Sequence, residues 1–160
     1  DFLKNVTNTC RCIESDVNLV DDVKNVDLVV TSPPYPFAVD FIRYHRLSLY
    51  WMEKPVEDLS NQETGARNKR SRKNALEEFY LQMHEIYLHI MSMVKPKGIW
   101  CMTIGDTTRN KEKIMFVDWT IKLFEDNGWK LINKSFRYLK QQTMGQKRIK
   151  TESILIFEKE

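Results

Sequence analysis

The order of the apolar segments predicts an α/β fold. Two strand-length runs, "NVDLVV" at residues 25–30 and "GIWCMTIGD" at 98–106, each lead into turn residues. Between them, "ALEEFYLQMHEIYLHIMSMV" at 75–94 repeats its apolar residues with a helical period. A second amphipathic stretch, "KEKIMFVDWTIKLFEDNG" at 111–128, precedes two more strand-like runs. Strand, helix, strand, helix, strand, strand is a layering of helices on a sheet whose closing two strands can pair antiparallel.

Each element has its own warrant. "NTCRCIESDV" at 8–17 alternates weakly and predicts a strand, joined by a short acidic linker to the better-supported strand at 25–30. "FAVDFIRYHRLSLYWM" at 37–52 carries Phe41, Tyr44, Ser48 and Trp51 at helical spacing, which predicts a helix despite its β-branched and aromatic residues. Residues 55–74 lose the apolar pattern and read as a polar loop or insertion with a basic end. In 75–94, Phe79, Met83, Ile86 or Tyr87, Ile90 and Val94 form one stripe before "KPKG" stops the helix. In 111–128, Val117, Ile121 and Phe124 point inward, and Asn127-Gly128 is a C-terminal signal. Runs at 129–139 and 153–159 complete the sheet. With no internal repeat or low-complexity tract, residues 1–160 read as a single domain.

Composition narrows the class. A chain of 160 residues with 42% hydrophobic residues can bury a core, and a net charge of +3 leaves the distribution of charge to identify partners. No apolar run approaches the ~18 residues of a membrane span, and no secretory pattern opens the chain, so a cytoplasmic location is the expectation. Cys10, Cys12 and Cys101 are odd in number and lack Cys-x-x-Cys spacing, which argues against a disulfide framework and a structural zinc site. His45, His84 and His89 have no nucleophile or ligand spacing and read as structural.

The stretch that asks for an explanation is "DLVVTSPPYPF" at 27–37. Val29 and Val30 read as a buried strand, yet Pro33, Pro34 and Pro36 cannot donate to a ladder, so the sheet must end at Thr31 or Ser32. Pro34 fixes its own φ and, with Pro33, holds the residue ahead of each extended, so the carbonyls of this turn stay aimed. Two plain alternatives are a merely stiff loop and a P-x-x-P ligand for a partner module. A ligand should sit exposed in a flexible segment, whereas this one follows directly from a strand.

With that strand before it, "TSPPY" at 31–35 resembles motif IV of the S-adenosylmethionine-dependent methyltransferases acting on exocyclic amino groups of nucleic-acid bases: Asp, Asn or Ser, then Pro-Pro, then an aromatic. The strand opening at Asp27, the helix ending at "KPKG", the strand ending in Gly105-Asp106 and the closing "ESILIFEK" look like further landmarks in family order. Together they cover nearly the whole chain. The resemblance implies a class I, Rossmann-like methyltransferase fold with a mostly parallel sheet and an antiparallel strand near the C-terminus. It also implies S-adenosyl-L-methionine as cofactor, DNA as partner and site-specific DNA methylation as activity. Serine in the first position, after Thr31, most resembles the cytosine-N4 members, although adenine-N6 enzymes carry it too.

Roles follow by the same resemblance. An exocyclic amine is a poor nucleophile because its lone pair is delocalised into the ring. Acceptors around its N–H groups favour a pyramidal nitrogen, and no strong base is required. Ser32 Oγ and the Pro33 carbonyl would be those acceptors, Pro34 would stiffen them, and Tyr35 would stack on a base flipped from the duplex. Asp16 sits where the family's third motif places an acidic residue near the cofactor's adenine; as a lone residue it reads equally well as a solvated turn. Thr31 is assigned with it to the cofactor. Asp106 would contact substrate or cap the next helix, the cap being preferred. Arg67, Lys69, Arg70, Arg72 and Lys73 place five positive charges in seven positions, either a solvated face or contacts to nucleic-acid phosphates. Lys147, Arg148 and Lys150 form a second cluster.

One part of the family pattern is missing. Its members bind the cofactor's methionine end at a glycine-rich motif I after the first strand, with an acidic residue after the second for the ribose. The five glycines here, Gly65, Gly98, Gly105, Gly128 and Gly145, contain no Gly-x-Gly. The expectation is a partial catalytic domain lacking motif I and the first two strands, inactive unless a missing segment or second chain completes it. Two other readings stay open: a catalytically silent methyltransferase-like subunit that binds nucleic acid, and an RNA base amino-methyltransferase.

Overall fold

The computed structural model describes residues 10–138 and 151–160. In chain order it contains a 3₁₀ turn Val17–Leu19, β1 (Val26–Thr31), α1 (Phe41–Tyr44), α2 (Arg46–Trp51), α3 (Val56–Gln62) and a 3₁₀ turn Arg67–Lys69. There follow α4 (Ala75–Met93), β2 (Val94–Ile104), β3 (Thr107–Arg109), β4 (Glu112–Ile114), α5 (Phe116–Asp126), β5 (Trp129–Tyr138) and β6 (Thr151–Lys159). Four strands make one sheet in the order β1-β2-β6-β5. β1 and β2 pair in parallel, while β6 runs antiparallel to both β2 and β5, so three strands point one way and β6 is reversed between them. The expected α/β layering is present.

One face of the sheet carries the core. Along α4, Ala75, Phe79, Met83, Tyr87 and Met91 recur every fourth residue and are all buried. On β2 it is Trp100, Met102 and Ile104 that are buried, and on β6 Leu155 and Phe157. Phe124 of α5 stacks on Phe157 at 4.3 Å between ring centroids and meets Trp100 edge-on at 4.9 Å. Such pairs contribute about 0.5–1.5 kcal/mol each beyond the area they bury. The other face is more open: Leu28 and Val30 of β1, paired with Ile99 and Cys101, are 55% and 72% exposed. β1 is therefore an edge strand covered on one side, not the fully buried strand that Val29 and Val30 suggest.

Several elements differ from the sequence pattern, each for a local reason. The strand expected over 8–17 is not formed in its described part; residues 10–14 are exposed and have no sheet neighbour. Asp16 instead caps the 3₁₀ turn by accepting from the Asn18 amide at 2.9 Å, side-chain bonding that competes with strand formation. The helix expected over 37–52 is two short helices broken at His45. Neither buries a residue, so no core face holds them in one piece. Residues 55–74 are not simply a loop: α3 starts after Pro55 with Glu57 and Asp58 in its first turn, where the helix dipole favours them.

"KPKG" ends α4 but lies inside β2 as a bulge, where pairing with β1 jumps from Val26↔Val94 to Leu28↔Ile99. The helix expected from residue 111 begins at Phe116, because residues 107–114 form the β3–β4 hairpin. Its two tip residues, Asn110 and Lys111, both have positive φ, the backbone of a tight two-residue hairpin turn. Among the described residues no helix is long and apolar enough to cross a membrane.

Candidate active site

The proline turn leaves the sheet at the end of β1 that carries the carboxyl terminus of the strand, an edge where parallel sheets build sites. Thr31, the final residue of β1, accepts a hydrogen bond from the Trp100 indole N–H through its Oγ1 at 2.9 Å. Ser32 is exposed, Pro33, Pro34 and Tyr35 are half-buried, and Pro36 and Phe37 are buried. Fixed proline torsions set the path between, and packed groups hold both ends.

Beyond the prolines the chain is held by named bonds. The Thr107 hydroxyl donates to the Pro36 carbonyl at 2.8 Å, and the Phe37 amide donates to the Gly65 carbonyl at 2.8 Å. Phe37 takes a left-handed backbone, φ 59°, which turns the chain from the sheet edge toward α1. Glu63 accepts from the Phe41 amide at 2.6 Å and Asp40 from the Asn68 amide at 2.7 Å, so residues 63–68 strap the exit of the turn. Such packing sets this segment apart from an exposed P-x-x-P ligand.

Tyr35 is the most constrained polar group here. Its hydroxyl donates to Glu152 Oε1 at 2.9 Å and approaches the Thr103 carbonyl at 3.4 Å. Burial, reinforced by the Glu152 carboxylate, pushes the phenol well above its ordinary pKa, with the Ser32 hydroxyl and Arg137 acting in the opposite sense. The phenol is thus a neutral donor throughout the physiological range. Glu152 is itself buried and pairs through Oε2 with Arg137, its cross-strand neighbour on β5.

The other predicted residues are less concentrated. Among the described residues no hydrogen bond or ion pair joins Asp16 to the turn; the 3₁₀ turn it caps packs on α4, where Val20 accepts from His89 at 3.1 Å. Asp106 acts as a cap: its Oδ1 accepts from the Val117 amide in the first turn of α5 at 2.9 Å, and its Oδ2 pairs with Lys113 at 2.9 Å. In the basic run, Arg67, Arg72 and Lys73 are exposed and Arg70 is half-buried. Lys69, grouped with the run as a solvated cation or a phosphate contact, instead turns inward: its Nζ donates to the carbonyls of Asn61 and Glu63 at 2.7 and 2.6 Å, at the C-terminal end of α3. Burial lowers its pKa. Arg109 of the hairpin ties the run down by donating to the carbonyls of Arg70 and Arg72 at 2.9 and 2.8 Å. Lys147, Arg148 and Lys150 lie outside the described residues.

Sequence reasoning missed Glu152, Arg137, Thr107 and Gly65 as supports of the turn. Only Glu152 left a signal: an acid two residues before the apolar run at 154–157 and in period with Ile154 and Ile156. Two clefts among the described residues lie along α4, one with α5 and one with the β3–β4 hairpin, and Ser32–Tyr35 line neither. The turn faces outward from an open sheet edge.

No model of a protein family matches the sequence. The chain is 26% identical over 110 residues to the type II methyltransferase M.MjaI of Methanocaldococcus jannaschii, an alignment covering 65% of this chain and 35% of that protein. Among solved structures it is similar to PvuII DNA methyltransferase, described as cytosine-N4-specific, with a TM-score of 0.58 and 13% identity over 92% of this chain and 48% of that one. It is also similar to TTHA0409 of Thermus thermophilus, named as a DNA modification methylase and solved with S-adenosyl-L-methionine. There the TM-score is 0.53 and identity 17%, over 89% of this chain and 51% of that one. The fold is that of the DNA methylases. The chain spans about a third of the curated relative and about half of these solved methylases.

Proposed function

We propose that this chain provides the base-activating half of a DNA amino-methyltransferase, in which a methyl group passes from S-adenosyl-L-methionine to an exocyclic amine, cytosine N4 in preference to adenine N6. The observation that carries this is the Ser32–Tyr35 turn: an exposed serine hydroxyl and proline-fixed backbone at the carboxyl end of a parallel strand, backed by a tyrosine locked into the sheet. Similarity to a type II methyltransferase and to a cytosine-N4-specific enzyme supports the same reading.

The described residues do not by themselves make a cradle for the methyl donor. Thr31 Oγ1 is engaged by Trp100, and the Asp16 carboxylate caps a turn. What the chain's own residues do concerns the acceptor. Ser32 Oγ and the Pro33 carbonyl accept from the amine N–H groups and favour a pyramidal nitrogen, and the stiff turn needs no reorganisation as that geometry forms. Tyr35 supplies a face for the extruded base. The exposed cations Arg67, Arg72 and Lys73, with the half-buried Arg70 beside them, hold the phosphates. The cradle for the donor, in this reading, comes from a further segment or a second chain.

Nucleoside mass spectrometry of DNA from cells expressing the intact protein tests the reading, with N4-methylcytosine expected. N6-methyladenine alone would overturn the base assignment, and modified RNA with unmodified DNA would overturn the substrate class. Ser32→Ala should raise the barrier to transfer by about 2–4 kcal/mol, because its hydrogen bond is worth most at the pyramidal geometry. DNA affinity should barely move. A single-turnover rate within about threefold of wild type would exclude the serine from that role.

A further inference from the structure

We infer that Glu152 is the positioning residue that fixes where the Tyr35 ring lies, with Arg137 as its counter-charge. This deepens the proposed function and rests on it. The three side chains come from three segments: the turn after β1, and the adjacent strands β6 and β5. Glu152 divides its oxygens between two tasks, Oε1 accepting from the Tyr35 hydroxyl at 2.9 Å and Oε2 accepting from Arg137 Nε at 3.1 Å and from its Nη2.

A buried carboxylate is costly unless paired and hydrogen-bonded, and Glu152 is only 11% exposed along its side chain. An apolar residue in step with Ile154 and Ile156 would satisfy the packing of β6 without that cost. What only an acceptor can do here is hold the phenol. The Thr103 carbonyl, at 3.4 Å, is too distant to be a strong anchor.

The hydroxyl of a tyrosine lies on the axis through Cβ and Cγ, so holding it locks χ1 and with it the place the ring occupies. A ring that must lie against a base beside the Ser32 acceptor needs that place held. The carboxylate does so without touching the base, which is why it acts through Tyr35. Arg137 occupies the second oxygen of Glu152, so the first stays directed at the phenol.

The test is a double-substitution cycle in the intact protein. Tyr35→Phe removes the hydroxyl and keeps the ring; Glu152→Ala removes the acceptor; Glu152→Gln keeps an acceptor oxygen. Each of the first two should slow single-turnover methyl transfer by about 10- to 100-fold, the scale of a small misplacement of a reacting group. Together they should slow it no more than the slower one alone, with DNA dissociation constants within about threefold of wild type. Glu152→Gln should recover most of the rate lost in Glu152→Ala.

Multiplying effects in the double variant, a wild-type rate in Glu152→Ala, or Glu152→Gln as slow as Glu152→Ala would each overturn the inference. If Glu152→Ala does not fold, Tyr35→Phe carries the test by itself, and an unchanged rate in it overturns the inference. Absence of any methyl transfer by the wild-type protein would sink the proposed function instead. The positioning claim is then judged by ¹³C-tyrosine NMR. The Tyr35 ring signal, assigned by its loss in Tyr35→Phe, should move in Glu152→Ala and stay in Glu152→Gln, and a signal unmoved in Glu152→Ala overturns the claim.

Discussion

Gly65 is held at φ 68°, and a Cβ added there would lie 2.7 Å from the Phe79 ring. Its carbonyl also receives the Phe37 amide, so one small residue seats the exit of the turn on the most buried part of α4. Gly65→Ala would suffer twice. A left-handed backbone costs an L-residue roughly 1–2 kcal/mol, and Phe79 sits in a packed core with little room to move. The expected loss is on the order of 2–4 kcal/mol in urea unfolding. A loss below about 0.5 kcal/mol would mean that the strap re-seats, and that the turn is held by its prolines and Thr107 without Gly65.

At the scale of elements, the basic run separates into cations that face water and one that does not. Changing Arg67, Arg70, Arg72 and Lys73 together to Gln should weaken nucleic-acid binding about equally across sequences and flatten its salt dependence, by up to ~0.9 in log–log slope for each phosphate no longer neutralised. Lys69→Ala should leave that slope alone and lower stability instead, since its ammonium is engaged by α3 carbonyls. Fluorescence anisotropy over a salt series decides between them. An unchanged slope in the fourfold variant would return the run to a solvated face.

That division was not legible in the sequence, because a run of charges does not reveal which side chain bends back onto a helix end. α4 was legible, since its buried residues repeat at four over the whole length, and so was the end of β1, since proline cannot continue a ladder. The β3–β4 hairpin was hidden because its tip is Asn110-Lys111 instead of a glycine-bearing pair. α1 and α2 misled because helical spacing of Phe41, Tyr44 and Trp51 predicts a buried stripe, whereas all three are exposed. Tyr35 was readable from its motif, but its partner Glu152 lies 117 residues away, and no local pattern encodes such a pairing.

The whole molecule has a covered side and an open one. Helices α4 and α5 pack on one face of the sheet, while Leu28 and Val30 stand out from the other at its β1 edge. Among the described residues β1 has a single sheet neighbour, so successive amides along it point alternately toward β2 and away from it. Amide hydrogen exchange in the described chain should alternate accordingly, fast and slow, from Val26 to Thr31. Uniform protection along β1, read by NMR, would mean that its outer edge is paired in solution.

β6 follows β5 in the chain yet lies between β5 and β2. A nascent chain that has not yet released Thr151 from the ribosome holds β5 with no neighbour in this sheet, and holds Tyr35 with no carboxylate to meet its hydroxyl. Contacts that close so much sequence form late and slow folding. Synthesis therefore delivers the turn early, and the sheet gives it a fixed shape only after more than a hundred further residues. The chemistry proposed for this turn would wait on the completion of the fold, not on the appearance of its motif.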